Sequence, residues 1–159
     1  MAGNLLNKYG SNNQAITCTI TSLTNGSQRQ STAIDNTSNT FIDAMVFVTV
    51  KTNASGTSAS GSCNVYAYGT VDGGSNYSDG ATGSDGSITL TSPPNMRLIG
   101  TINCVANAAT YKAGPFAVSL AFGGVLPDHW GIVVENKTGG TLDASVGTAI
   151  YQGVEGQYT

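Results

Sequence analysis

Asp128 and His129, adjacent in Leu126-Pro127-Asp128-His129-Trp130, are the residues best suited by type to proton-transfer chemistry. A carboxylate beside an imidazole is the pairing a general base uses. His129 is the sole histidine of the 159-residue chain. Neighbours on a strand point to opposite faces, which sets these two side chains apart, and no G-x-S-x-G elbow or reactive-cysteine motif supplies a nucleophile. The chain is read as a non-enzyme, with His129 a structural or surface residue.

Three further sets of residues carry chemistry. Asp72, Asp79 and Asp85 lie in a glycine-rich stretch, Asp72 to Gly86, and offer hard oxygen ligands of the kind Ca²⁺ takes. Their spacing fits neither an EF-hand loop nor a nonapeptide repeat, so the expectation is that Asp and Gly here make an exposed turn-rich loop, with no metal and no cofactor. Cys18, Cys63 and Cys104 are odd in number and widely spaced, with no C-x-x-C pair. They are read as reduced, small apolar strand residues, the alternative being one bridge from Cys18 or Cys63 to another strand. Tyr66, Tyr68 and Tyr77, with Trp130, raise the possibility of a sugar-stacking platform. Tyr66 and Tyr68 share a strand face, whereas Trp130 is in phase with Ile132 and Val134 and is assigned to the core.

The elements that must position these residues are strands. Ile16, Cys18 and Ile20 alternate with threonines and mark a first strand; Phe41 to Val50, apolar on both parities, reads as a central strand covered on both sides. Cys63 to Val71 returns, Ser87 to Leu90 is short, and Met96, Leu98, Gly100 and Ile102 alternate. Phe116 to Phe122, Trp130 to Glu135, and a long strand from Leu142 to Val154, bent at Gly147 or Gly153, complete the set. No segment shows a capped 3.6-residue apolar period. The expected fold is all-β, a β-sandwich or jelly roll in a single domain over residues 15–159, preceded by an arm over residues 1–14.

Composition narrows the function. Charged residues make up 9% of the chain, against an average of about 25%. The formal net charge of -3 comes with six Lys and Arg scattered singly, so no basic stripe exists to neutralise phosphates and nucleic acid is not an expected partner. No apolar run approaches the roughly 20 residues of a membrane helix. Met1 to Lys8 lacks the basic and apolar regions of a signal peptide, so cytoplasmic synthesis is expected and the Asn-x-Ser/Thr sites have no weight.

Trp130-Gly131-Ile132-Val133-Val134-Glu135-Asn136-Lys137-Thr138-Gly139, the tail Ala149 to Val154, and Val65-Tyr66-Ala67-Tyr68-Gly69-Thr70 resemble small structural proteins encoded by tailed bacteriophages. Over most of its length the chain is similar to head decoration, or cement, proteins. That resemblance implies a sandwich or jelly roll on the surface of the virion capsid, bound to the major capsid protein lattice and reinforcing it as a homo-oligomer. A tail or fibre-associated module binding host-surface carbohydrate is the alternative. Low charge favours self-association, a trimer before a dimer. In the arm, Leu5, Leu6 and Tyr9 are the only sizeable apolar groups; the segment is either a disordered leader or, as expected here, docks those side chains on a neighbouring subunit or the capsid.

Overall fold

The computed structural model describes residues 5–158, with Leu5 through its backbone alone. Eleven strands are present: β1 (Leu5–Tyr9), β2 (Gln14–Ile16), β3 (Gln28–Gln30), β4 (Ile34–Asp35), β5 (Asp43–Thr52), β6 (Ser62–Thr70), β7 (Gly86–Ile88), β8 (Arg97–Asn103), β9 (Thr110–Ala117), β10 (His129–Lys137) and β11 (Leu142–Tyr158). Two short 3-10 turns, Ser78–Gly80 and Ser119–Phe122, are the only helical segments among the described residues. One antiparallel sheet runs β1-β11-β5-β9, with β2 also on β11; the other runs β7-β3-β10-β6-β8, with β4 also on β10. The chain is an all-β, sandwich-like single domain.

The inner faces meet over Ala44, Val46, Val48 and Val50 from β5, Cys63, Val65 and Ala67 from β6, and Trp130, Ile132 and Val134 from β10. Trp130 is fully buried and meets Tyr151 of the opposite sheet edge to face, with ring centroids 5.3 Å apart. Ring pairs of this geometry add stability beyond the area they bury. The assignment of Trp130, Ile132 and Val134 to the core is borne out.

A second apolar layer lies on the outer face of the β10–β6 sheet. The chain between β6 and β8 folds back over it, and Tyr66, Tyr68, Ala81, Met96 and Val133 are buried together there, with Tyr77, Ile88 and Leu90 packed alongside. The glycine-rich stretch is thus a lid rather than a free loop. Gly131, directly opposite Tyr68, makes room for the tyrosine ring: a Cβ at Gly131 would stand 2.4 Å from Tyr68 Cζ.

Several strands differ from expectation. Ile16, Cys18 and Ile20 are buried in alternation, but the ladder to β11 stops at Ile16 because the chain then crosses towards the other sheet, where Thr32 N donates to Thr17 O. β5 is covered on one side only; Asp43, Met45, Phe47, Thr49 and Lys51 face outward, half-buried. Beyond Ala117 the strand gives way to the 3-10 turn, which puts Leu120 outside. β8 carries a bulge at Ile99, since Val65 and Tyr66 face Gly100 and Leu98, and this turns Leu98 outward. In β11 the register against β5 shifts between Leu142 and Gly147, so the buried residues are Leu142, then Ala149 and Tyr151, then Gly153 and Val154 together. A one-residue slip exchanges the faces of a strand, which is why unbroken alternation misassigned them.

Residues 5–9 of the arm form an edge strand on the chain's own C-terminal strand, with Leu5 opposite Tyr158 and Tyr9 opposite Val154. The side chains of Leu6 and Tyr9 nonetheless remain exposed; residues 1–4 and the Leu5 side chain lie outside the described residues.

Gly131→Ala is expected to destabilise the fold by about 1–3 kcal/mol through forced displacement of Tyr68. Urea unfolding followed by the fluorescence of Trp130, the only tryptophan, measures this; an unchanged midpoint would show that the lid side of the sheet gives way without cost.

Candidate functional site

The three tyrosines are brought together, but not as a platform. The Tyr66 hydroxyl donates to Glu135 Oε2 at 3.0 Å and the Tyr68 hydroxyl to Ser31 O at 2.6 Å. Tyr77 stands on Tyr68 edge to face, at 5.3 Å and 85°. Tyr66 and Tyr68 are buried, and burial pushes both phenols above their usual pKa. The expectation of an exposed, sugar-stacking tyrosine face is corrected: the lid covers the side of the sheet on which the rings stand.

Beside them lies a buried carboxylate that sequence reading missed. Glu135 is 8% exposed. It accepts from Asn64 Nδ2 at 3.0 Å and from Gln28 Nε2 at 3.3 Å, with Lys137 Nζ at 3.5 Å. Burial works against its charge, and these donors more than offset it, holding the carboxyl below its usual range. No local motif marks Glu135, because its partners come from three other positions in two sheet neighbours and its own strand.

The lid aspartates are each committed to the backbone around them. Asp72 accepts from Thr70 Oγ1, from Ser75 N at 3.0 Å and from Asn76 Nδ2 at 2.7 Å, and the Thr70 and Asn76 bonds hold its carboxyl far below the usual range. Asp79 accepts from Thr91 Oγ1 at 2.7 Å and from Asn95 N at 2.7 Å. Asp85 takes both Arg29 Nε at 2.7 Å and Nη2 at 2.8 Å and also accepts from Thr19 N at 3.0 Å. Arg29 above all holds the Asp85 carboxyl down, to about 2. Among the described residues no group of three His, Cys, Asp or Glu could hold a metal ion.

Asp128 and His129 are closer than expected, because Asp128 lies before the strand rather than in it. His129 Nδ1 is 3.6 Å from Asp128 Oδ1 and Nε2 is 3.9 Å from Asp35 Oδ1, both beyond hydrogen-bond length. Asp128 instead accepts from the His129 amide at 2.7 Å and from Gly73 N at 3.0 Å. The pair orders the loop end of the sandwich.

That same end carries the most open apolar surface. Val71 is 90% exposed, Leu120 74%, Val125 63% and Leu98 53%. Between them Phe122 and Pro127 pack over Gly69, whose Cβ position would lie 2.6 Å from Pro127 Cγ, and a hollow of about 310 Å³ opens between Gly69–Asp72, Asn76, Phe122 and Pro127. Large apolar side chains left open to solvent are candidates for a binding surface. The 3-10 turn that exposes Leu120 is signalled only by the Gly123-Gly124 pair that ends it. A larger groove, of about 480 Å³, lies on the outer face of the β11–β5–β9 sheet, among Met45, Phe47, Pro115, Ile150 and Gln152.

No family model and no curated protein matches the chain.

Asp85→Asn is expected to lower stability at pH 7 by about 1.5–3 kcal/mol, the range for a hydrogen bond to a charged group. An Asp depressed from about 3.9 to about 2 contributes stability above the higher value that is lost as pH falls through the lower. The wild type should therefore lose stability from pH 4 towards pH 2 more steeply than the variant, with Asp72 and Asp143 still titrating in both. Denaturant midpoints along that pH series check it; parallel curves would remove Asp85 from the account.

Proposed function

We propose that the chain is a virion structural protein of a tailed bacteriophage, specifically a capsid decoration protein that binds the mature head lattice as a homo-oligomer, a trimer before a dimer. The observation that carries the binding reading is the loop-end surface of Val71, Leu98, Leu120 and Val125, open to solvent beside a rigid sandwich. The phage assignment itself rests on the resemblance of the β6, β10 and β11 sequences.

Burial of a Val or Leu side chain is worth about 1.5–3 kcal/mol before the costs of association are met. Several such side chains on preordered loops therefore suffice for specific docking, and repetition over a lattice multiplies the effect. A ligand that binds the assembled shell alone stabilises it by mass action. Leu6 and Tyr9, exposed on an edge strand, supply a further contact of the kind expected for the arm. The carbohydrate-binding alternative loses the exposed Tyr66 and Tyr68 on which it drew.

The test is titration of purified protein onto expanded heads of the parent phage assembled without it, with a glycan array in parallel. Saturable binding to heads is expected, and Leu120→Ser with Val125→Ser should weaken it at least tenfold while leaving thermal unfolding within a degree or two. Failure of the folded wild type to bind heads would sink the reading; equal binding by wild type and variant would move the docking surface elsewhere.

A further inference from the structure

The end of β11 outruns its own sheet. The β5 ladder on β11 closes at the Asp43/Val154 pair, and Ile42 N donates to Val154 O at 2.8 Å just beyond it. From Glu155 onward β11 pairs with β1 alone among the described strands. β1 and the end of β11 are thus a two-stranded ribbon standing past the sandwich, and such a ribbon by itself is at best marginally stable in water.

The outer edge of the ribbon is open in a defined pattern. Gly10 N donates to Gly153 O at 2.9 Å, so these two residues are a hydrogen-bonded pair of the antiparallel ladder, and such pairs recur at every second residue. Lys8/Glu155 and Leu6/Gln157 follow in phase. The backbone N–H and C=O groups of Leu5, Asn7 and Tyr9 therefore point away from β11, and an open row of this kind is a template for another strand. The remaining edges are blunted. β9 carries Lys112, a register shift and Pro115, β8 carries Arg97 and a bulge, and β2, β4 and β7 are two or three residues long. β1 has no proline and no bulge, and its one charge, Lys8, is held by Glu155 at 2.8 Å.

The strand that fits this edge is a second copy of β1. Antiparallel registers that set outward groups against outward groups centre a twofold axis on one residue of the strand. Centring on Lys8 puts two ammonium groups directly opposite, which destabilises a sheet. Centring on Leu5, Leu6 or Tyr9 overlaps three residues or fewer. Centring on Asn7 pairs all five residues of β1: Asn7 faces Asn7, Tyr9 faces residue 5, and Lys8 lays its aliphatic stem beside Leu6, which is 52% exposed in the single chain.

We propose that the protein dimerises by antiparallel pairing of β1 with β1 of a second copy, about a twofold axis through Asn7, joining the two β1-β11-β5-β9 sheets into one. The contact is isologous and closed. Leu5, Asn7 and Tyr9 of each copy exchange N–H···O bonds with Tyr9, Asn7 and Leu5 of the other, and each ribbon gains a second neighbour. A net charge of only -3 sets little repulsion against it. A twofold contact gives the dimer, the second of the two oligomers considered above; the pairing deepens the self-association in the proposed function, rests on that part alone and needs no capsid.

Sedimentation equilibrium of the full-length protein, in the absence of phage heads, keeps the result separate from that of head binding. A dimer of twice the 16.2 kDa chain is expected. Asn7→Pro removes only an outward N–H and leaves the bonds to β11 that run through Leu6 and Lys8. It should weaken dimerisation at least tenfold, with the thermal midpoint of the dilute protein within a degree or two of wild type. In Asn7→Cys the two substituted positions come about 5.5 Å apart at Cα, within disulfide reach. Mild oxidation should link them at least tenfold faster than in Leu6→Cys or Lys8→Cys, whose like positions stand two residues out of register; digestion without reduction separates this bridge from the native thiols. A wild-type monomer at high micromolar concentration, an oligomer that persists in Asn7→Pro, or equal cross-linking by the three cysteine variants would each overturn the proposal.

Discussion

The structure depends on one constraint: β10 and β6 are apolar on both faces and must be covered on both. Inward, Trp130, Ile132, Val134, Val65 and Ala67 require the β5–β11 sheet; outward, Val133, Tyr66 and Tyr68 require a second cover. A thin sandwich supplies only the first. The second comes from the segment between β6 and β8, which explains why a stretch so rich in Gly and Asp is not simply solvated: it is built to turn repeatedly while laying Ala81, Ile88, Leu90 and Met96 on the sheet. Gly131 belongs to the same requirement, since removing a Cβ from β10 is what lets the Tyr68 ring lie flat enough to be covered.

The polar chemistry of the lid follows from that task. A segment of turns has few ladder hydrogen bonds, and backbone groups held near a buried layer need partners. Asp72, Asp79 and Asp85 supply them by accepting from nearby amides and hydroxyls, and Arg29 fastens the last of them to β3. Each of the three carboxylates is engaged with a different set of donors. The same residues that invited a Ca²⁺ reading are thus explained by the geometry of the cover.

What was legible in the sequence was whatever depends on local periodicity. The all-β class, the central place of Trp130-Ile132-Val134, and the long C-terminal strand follow from period-2 patterns that single segments carry. What failed depends on register and on distant partners. The bulge at Ile99 and the shift between Leu142 and Gly147 change which face a residue occupies without changing its neighbours in the chain. The covering of Tyr66 and Tyr68 depends on residues up to thirty positions away, and the Glu135 cluster draws on Gln28, Asn64 and Tyr66 from separate strands. The arm is the same case: pairing Leu5–Tyr9 with the C-terminus is a contact between the two ends of the chain, for which no local pattern exists.

The lid also gives weight to the loop-end surface. This chain has a means of hiding an apolar outer face in cis, and uses it where Tyr66, Tyr68 and Val133 would otherwise be wet. At the end of the sandwich, Phe122 and Pro127 are drawn in over Gly69, yet Val71, Leu120 and Val125 are left open. Phe122 and Pro127 already fill the space over Gly69, so that space does not shelter the three exposed side chains. Where such side chains are already ordered by the fold, docking a partner on them would cost less entropy than ordering a flexible loop.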